Sequence, residues 1–136
     1  MAKSTTDVFL VHSLNDRGVA SLVTAAMNAA GLTVFDDRQQ VSGGAKWQQA
    51  TRRAMLQTKC VVMLLTANSV SSSNILFKAG MAYIAAKPIF VLHDGLPTEE
   101  LPEFLQKFHV AELTQLADVV AEIQSLAGHR SSVATA

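Results

Sequence analysis

The sequence predicts a doubly wound α/β domain, in which a parallel sheet carries helices on both faces. Short, almost continuously apolar runs alternate with longer stretches whose apolar residues recur at helical spacing. That alternation of strand and helix is typical of a parallel sheet. The chain has 136 residues, 49% of them hydrophobic and 16% charged, which is enough for one domain with a large buried core.

Two strand candidates and one helix candidate open the chain. DVFLVH (7–12) and LTVF (32–35) are apolar enough for strands that are covered on both faces. Asn15 or Asp16 can cap the helix between them, and Gly31 can end it. The apolar face of this helix is formed by residues at helical spacing, namely Val19, Leu22, Val23, Ala26 and Ala30.

A polar, glycine-containing loop at 36–45 leads into a second helix. That helix is expected from about 46 to 57, where it would bury Trp47, Ala50 and Ala54. The double glycine of the loop supplies unusual backbone angles before the helix. CVVMLLT (60–66) is the most apolar run and is the expected central strand.

The third helix has clear start and stop signals. Ser72 or Ser73 can cap its start, and it is expected to run to about Ala86. Lys87 suits the negative end of the helix dipole, and Pro88 stops the helix. PIFVLH, residues 88–93, follows as the fourth strand.

The remaining segment supplies the fifth strand and the last helix. Residues 94–108 are irregular or partly helical, and HVAEL (109–113) is the fifth strand. Thr114 is the expected cap of the last helix, and Gly128 ends it. Its apolar face consists of Leu116, Val119, Val120, Ile123 and Leu126. We therefore expect one domain over 1–128 and a frayed tail over 129–136.

Charge and cysteine content exclude several classes of protein. Lys and Arg together number 11, as do Asp and Glu, so the basic excess that nucleic acids and anionic membranes attract is absent. Cys60 is the only cysteine, which rules out an internal disulfide and favours a reducing, cytoplasmic location. The N-terminus lacks the apolar stretch of a signal peptide, and no run approaches a transmembrane span.

A ligand site is expected at the carboxyl ends of the strands, where such sheets bind ligands. Those ends carry His12-Ser13, Asp36-Asp37, Thr66-Ala67-Asn68 and His93-Asp94. The chain has neither a phosphate loop of the Walker type nor a G-x-G-x-x-G after the first strand. The positions of the acidic pair and of Lys87-Pro88 do not fit a phospho-acceptor receiver domain. A serine-histidine triad or a metal site also lacks its motif.

Five segments in order along the chain together resemble a TIR (Toll/interleukin-1 receptor-like) domain of the prokaryotic branch. The resemblance runs from Asp7 to about Leu126. The segments are DVFLVHSLND, GLTVFDD, SGGAKW, CVVMLLTANSVSS and NILFKAGMAYIAAKPIFVL. The resemblance implies a flavodoxin-like, five-stranded doubly wound parallel sheet with helices on both faces. It also implies that the 36–45 loop makes assembly contacts.

Members of this family either act as adaptors or cleave NAD⁺ at its nicotinamide–ribose bond. In the enzymes, a catalytic glutamate on the helix after the third strand follows a Trp or Asn by four residues. NILFKAG (74–80) keeps the bacterial pattern Asn-x-x-Phe-Glu-x-Gly, with Asn74 matching, except that Lys78 occupies the glutamate position. Cleavage gives the ribose oxocarbenium character, which a carboxylate stabilises and an ammonium group opposes.

Lys78 has three interpretations. It marks a natural non-enzymatic member that binds partners or a nucleotide, or a change in an otherwise active protein, or it is an ordinary surface lysine on a helix whose site lies elsewhere. In the first two, the site includes Asn74 and Lys78, and the resemblance implies that the nucleotide contacts Ser13, Asp36 and Asn68. Trp47 is a further nucleotide-contacting candidate, although its spacing predicts a core residue.

The resemblance implies an intracellular signalling or effector module of an innate-immune or anti-phage system. It would belong to the NAD⁺ glycohydrolase lineage, with activity impaired by Lys78, with NAD⁺ as substrate or ligand and with no tightly bound cofactor. The expected partners are other copies, bound through the 36–45 loop and adjacent helices, and a sensor in trans or on a larger chain. One alternative is a non-enzymatic scaffold, and a remote one is a nucleoside deoxyribosyltransferase-like enzyme.

Overall fold

The computed structural model describes residues 6–36 and 45–128, without the side chains of residues 45–48. The described residues contain the strands β1 (Thr6–Val11), β2 (Val34–Asp36), β3 (Thr58–Leu65), β4 (Ile89–His93) and β5 (His109–Glu112). The helices are α1 (Arg17–Ala29), α2 (Ala45–Gln57), α3 (Ser73–Ile84), α4 (Glu103–Gln106) and α5 (Leu116–Leu126). The strands form one parallel sheet in the order β2-β1-β3-β4-β5, which confirms the predicted fold class.

Helices cover both faces of the sheet, so the two central strands β1 and β3 are apolar on both sides. Val8 and Leu10 of β1 pack with α1 and α5, whereas Phe9 and Val11 pack with α2, α3 and α4. Successive side chains of a strand point to opposite faces, so each strand serves both cores. This is why the strands read as continuous apolar runs in the sequence.

The first helix begins where the sequence predicts but buries fewer residues than its spacing predicts. Leu14–Asp16 form a 3₁₀ turn, and Asp16 occupies the N-cap position of α1 as expected, although its side chain makes no capping bond. Ala20, Val23 and Met27 are the buried residues of α1. Leu22 was expected in the core, but its side chain is 71% exposed because it lies beside, not on, the stripe that faces the sheet.

The last helix is also capped differently from the prediction. Glu112 and Gln115 form a reciprocal capping box around the 3₁₀ turn Leu113–Gln115, so Thr114 is not the cap. Val119, Val120 and Ile123 are buried as expected. Leu126 is about half exposed.

The connection from α3 to β4 is tighter than the sequence indicates. The helix ends at Ile84 rather than near Ala86, whose φ of 59° places it in the left-handed region. The Nζ atom of Lys87 donates to the carbonyl oxygen of Leu56, near the end of α2. The strand then begins at Ile89, one residue after Pro88.

Several predictions concern residues outside the described part. Residues 37–44 comprise most of the loop expected to make assembly contacts, and residues 129–136 comprise the expected tail. Trp47 lies in α2, but its side chain is among those not described. These predictions therefore stay predictions.

Candidate functional site

Buried polar side chains gather where the parallel strands end. Because all five carboxyl ends lie on one edge of the sheet, residues distant in sequence meet there. The buried polar residues at or next to these ends are His12, Asp16, Asp36, Thr66, Ser69, Lys78 and His93. Buried polar groups require partners. The edge is therefore held by specific polar contacts, as a binding site is.

His12 and Asp36 form a buried pair across β1 and β2. The Nε2 atom of His12 lies 2.9 Å and 2.8 Å from the two carboxylate oxygens of Asp36. Its Nδ1 atom lies 2.7 Å from the carbonyl oxygen of Ser13, which can only accept a hydrogen bond. Both ring nitrogens of His12 therefore face oxygen atoms, and Nε2 lies at hydrogen-bond distance from both carboxyl oxygens of Asp36.

Asp16 joins the loop after β1 to the loop after β3. Its Oδ1 accepts a 2.8 Å bond from the hydroxyl of Thr66, and its Oδ2 accepts a 3.3 Å bond from Ser13. Thr66 is held in turn by its backbone N–H, which donates to the hydroxyl of Ser69. The amide of Asn68 donates to the Thr66 hydroxyl. This network fixes the two loops against each other beside the His12 pair.

Lys78 lies on the core-facing stripe of α3. Ile75, Ala79 and Ala82 of this helix pack in the apolar core beneath the sheet's second face. Lys78 shares that stripe and has 0% exposure, so its ammonium group does not reach solvent. The interpretation as an ordinary surface lysine is therefore wrong. A buried ammonium group is tolerated only when it is paired, and Lys78 is not without a partner.

The other predicted site residues are distributed around this edge. Asn74 is half-buried in the first turn of α3, and it shares a helix side with Lys78 four residues later. Ser13 is half-buried and bonded to Asp16, and Asn68 is exposed on the loop after β3. Asp36 is engaged by His12 on the α1 side of the sheet, since it pairs in register with Leu10.

His12 and His93 hold neighbouring groups in position rather than activating a serine. His12 contacts the carbonyl of Ser13 and the carboxylate of Asp36, while the Ser13 hydroxyl is directed to Asp16. The Nδ1 atom of His93 accepts a 3.0 Å bond from the amide of Leu96 and so shapes the turn after β4. In the described part of the chain, no cluster of three or more His, Cys, Asp or Glu residues could hold a metal ion.

The family comparison matches nearly the whole chain. The TIR domain family matches residues 8–127, which includes every element from β1 to α5. The chain belongs to the TIR domain family. No curated protein is significantly similar to it.

Solved structures of TIR domains share the fold of this chain. A metazoan TIR-STING receptor from C. gigas in complex with 2',3'-cGAMP superposes with a TM-score of 0.72 at 18% identity, over 88% of this chain and 39% of that chain. The chain thus spans about two-fifths of that receptor's length. The TIR domain of the Toll-related receptor TRR-2 from Hydra magnipapillata gives 0.70 at 17% identity, over 88% and 99% of the two chains.

The TIR domains of the activated Roq1 resistosome, which recognises the pathogen effector XopQ, also share the fold. They give a TM-score of 0.60 at 14% identity, over 93% of this chain and 86% of that chain. At these identities the likeness shows the fold of this TIR domain. No helix among the described residues of this TIR domain is long and apolar enough to span a membrane.

Sequence reasoning missed the two buried pairings at the edge of this TIR domain. Asp16 was interpreted as a helix cap, and His12 only as a residue at a strand end. The available signal was their position: both follow β1, and their partners Asp36 and Thr66 lie at the ends of the two strands that flank β1. The identity of each partner depends on contacts over 24 and 50 residues, which local patterns do not contain.

Proposed function

We propose that this TIR domain is a signalling or effector module of the NAD⁺ glycohydrolase lineage, in which Lys78 lowers cleavage of the nicotinamide–ribose bond. It would act inside the cell in innate-immune or anti-phage defence, downstream of a sensor that lies in trans or on a larger chain. The family assignment supports the lineage. The observation that carries the impairment is the complete burial of Lys78 in α3, at the position where the resemblance places a glutamate.

The size of the effect follows from electrostatics. A unit charge about 5 Å from a developing ribosyl cation is worth roughly 3 kcal/mol at an effective dielectric constant of about 20. Exchanging a carboxylate for an ammonium group therefore changes the barrier by about 6 kcal/mol, or roughly four orders of magnitude in rate. The complete burial of Lys78 keeps its ammonium group from turning to solvent.

The variant Lys78→Glu tests the proposal. We expect it to release nicotinamide from NAD⁺ faster than the unmodified chain, by up to about four orders of magnitude, when both are measured by chromatography at high protein concentration. Lys78→Gln is the matched control, because it removes the positive charge without supplying a carboxylate. The expected order of rates is Glu, then Gln, then Lys.

Circular dichroism and the midpoint of thermal unfolding show whether each variant is folded, so that unfolding is not mistaken for a loss of activity. Folded Lys78→Glu protein that releases nicotinamide no faster than Lys78→Gln contradicts the lineage. Rapid release of nicotinamide by the unmodified chain would contradict the proposal that Lys78 impairs cleavage. Transfer of a deoxyribosyl group between added bases would favour the deoxyribosyltransferase-like alternative.

A second candidate function is a TIR scaffold that self-associates. It is favoured by an exposed apolar groove between α2 and α3, where Leu56, Phe77 and Ile84 are 60%, 61% and 83% exposed. Apolar surface of this kind marks an interaction site on a folded domain. Light scattering over a range of protein concentrations tests it, and a strict monomer at all of them would reject it.

A further inference from the structure

Three aromatic side chains form a cup on the surface of the domain, between α3 and α4. Tyr83 comes from the end of α3, Phe104 comes from α4, and Phe108 follows α4. The ring centroid of Tyr83 lies 5.6 Å from that of Phe104 and 6.1 Å from that of Phe108. The Phe104 ring stands at 81° to the first and 80° to the second, so the rings are walls rather than a flat stack. We call these three rings the aromatic cup.

The aromatic cup holds a cation that belongs to the chain itself. The Nζ atom of Lys107 lies 4.4 Å, 4.8 Å and 5.6 Å from the ring centroids of Tyr83, Phe104 and Phe108. At these distances the negative face of an aromatic ring attracts a cation. Within the described part of the chain Lys107 forms no ion pair, so the rings are the groups that hold its ammonium. The position that Lys107 fills is therefore a cation site built from aromatic rings.

The cup keeps its shape without the lysine side chain. Leu105 has 0% exposure and anchors α4 in the core, where Phe104 and Phe108 pack as half-buried residues. The backbone N–H of Phe108 donates to the carbonyl oxygen of Leu105, and the side-chain amide of Gln106 ties α4 to the turn before it. Groups that are ordered before binding lose little conformational entropy when a ligand arrives.

The cup is open to solvent. Tyr83 is 51% exposed, and Lys107 is exposed as well. A lysine stem is flexible, so the ammonium group can leave the rings without a change in the backbone. An exposed cation–π contact changes an equilibrium by only about two- to fivefold. A cation that suits the rings better can therefore displace Lys107.

We propose that the aromatic cup binds the quaternary ammonium group of a small soluble cation, of which choline is the simplest, and that Lys107 competes with it. A quaternary ammonium group is less strongly hydrated than the ammonium of lysine, and its methyl groups bury apolar area against the rings. The inference is independent of the proposed NAD⁺ chemistry. Tyr83 lies near the C-terminal end of α3, whereas the polar edge lies near the start of that helix.

The charges near the cup favour a simple cation over a ligand that also carries an anionic group. Glu103 directly precedes Phe104 in α4. Glu99 and Glu100 lie in the 3₁₀ turn that Gln106 fastens to α4, and all three glutamates are exposed. Their carboxylates attract a cation and oppose a phosphate or carboxylate group on the ligand. Choline should therefore bind more tightly than phosphocholine or glycine betaine.

Removal of the internal competitor tests the proposal. Choline is titrated into the unmodified chain and into Lys107→Ala at constant ionic strength, and NMR follows the ring signals of Tyr83, the only tyrosine of the chain. Lys107→Ala should bind choline about three- to sixfold more tightly, because the cup is then open all the time. Arg17→Ala is the matched control, since it removes an exposed positive charge from α1, and it should bind like the unmodified chain.

A second variant locates the ligand. Tyr83→Leu keeps an apolar side chain but removes the ring that lies closest to the cation. In the Lys107→Ala background it should weaken choline binding at least about fivefold, as measured by the N-methyl proton signal of choline. The uncharged analogue of choline, in which carbon replaces the nitrogen, should also bind at least about fivefold more weakly. Circular dichroism checks that each variant is folded.

The results that would overturn the proposal differ for each of its parts. Equal affinity of Lys107→Ala and the unmodified chain overturns the competition by Lys107, and no saturable binding to Lys107→Ala at up to about 100 mM choline overturns the site. Binding that survives Tyr83→Leu, or that the uncharged analogue reproduces, overturns recognition of a cation by the rings. Tighter binding of phosphocholine, or sedimentation of the chain with phosphatidylcholine vesicles, overturns the assignment to a small soluble cation.

Discussion

At the scale of single residues, the polar edge of this TIR domain depends on pairs that are desolvated together. His12 and Asp36 are 1% and 3% exposed, and they hydrogen-bond to each other at the ends of adjacent strands. A buried pair contributes little over two apolar residues, but removing one member leaves the other charge uncompensated. The pair therefore fixes the positions of the loops after β1 and β2 more than it adds stability.

The variant His12→Ala should lower the free energy of unfolding by about 1–3 kcal/mol, because the buried Asp36 carboxyl group loses the hydrogen bond from the ring. The double variant His12→Ala with Asp36→Ala should cost less than the two single variants added together, by about 1 kcal/mol or more. Urea denaturation gives the free energy of unfolding of the unmodified chain, the two single variants and the double variant. Additive losses would show that the two side chains do not act as a pair.

Cys60 makes stability depend on alkaline pH. Burial in β3, with a smaller contribution from the Asp7 carboxylate, raises the pKa of its thiol to about 12 from 9.0. Between these values the unfolded chain loses the thiol proton while the folded chain keeps it. The free energy of unfolding should therefore fall by about 1.4 kcal/mol for each pH unit above about 9, and the thiol's stabilising effect is fully present below that pH.

The variant Cys60→Ala isolates the contribution of this thiol to the pH dependence of stability. Urea denaturation at about pH 8 and about pH 10 should show a smaller loss for Cys60→Ala than for the unmodified chain. Equal losses in the two proteins would mean that the thiol pKa is not raised by folding.

At the scale of elements, the start of α3 decides where Lys78 lies. The hydroxyl of Ser72 accepts a hydrogen bond from the backbone N–H of Ile75, which fixes the first turn. One and a half turns later, the same register places Lys78 and Ala79 on the stripe that faces the sheet. The helix start therefore determines that the lysine is buried and that Phe77 is exposed.

The variant Ser72→Ala should destabilise the domain by about 1 kcal/mol, because the amide of Ile75 loses its acceptor. Ser73→Ala is the matched control, since Ser73 is exposed inside the first turn, where alanine favours the helix. Its effect should stay within about 0.5 kcal/mol of zero. Thermal denaturation compares the two, and equal effects would contradict the capping role.

At the scale of the whole molecule, the topology assigns different tasks to different regions. The carboxyl edge of the sheet gathers the buried polar groups, while α2 and α3 present the exposed apolar groove. The catalytic proposal concerns the edge, and the assembly proposal concerns the outer helices. Because the two regions share α3, assembly through its outer face can affect the side that carries Lys78, as a packed helix moves as a unit.

The sequence by itself determined the fold class, the succession of elements and the mismatch at Lys78. Strand runs, the cap at Ser72 and the stop at Gly31 are local signals, because backbone periodicity and capping involve neighbouring residues. The full resemblance to the family also lies in the order of these segments. Element ends were less well predicted: β2, for example, lies at Val34–Asp36 rather than at 32–35.

Only the tertiary structure decided which side chains are buried and which polar groups pair. Leu22 matches the helical period as well as Val23 does, yet it is exposed because none of the described elements covers its side of α1. Lysine is usually exposed on protein surfaces, but Lys78 is completely buried in the folded domain. Such outcomes depend on contacts between distant segments, and local spacing carries no information about which segments will meet.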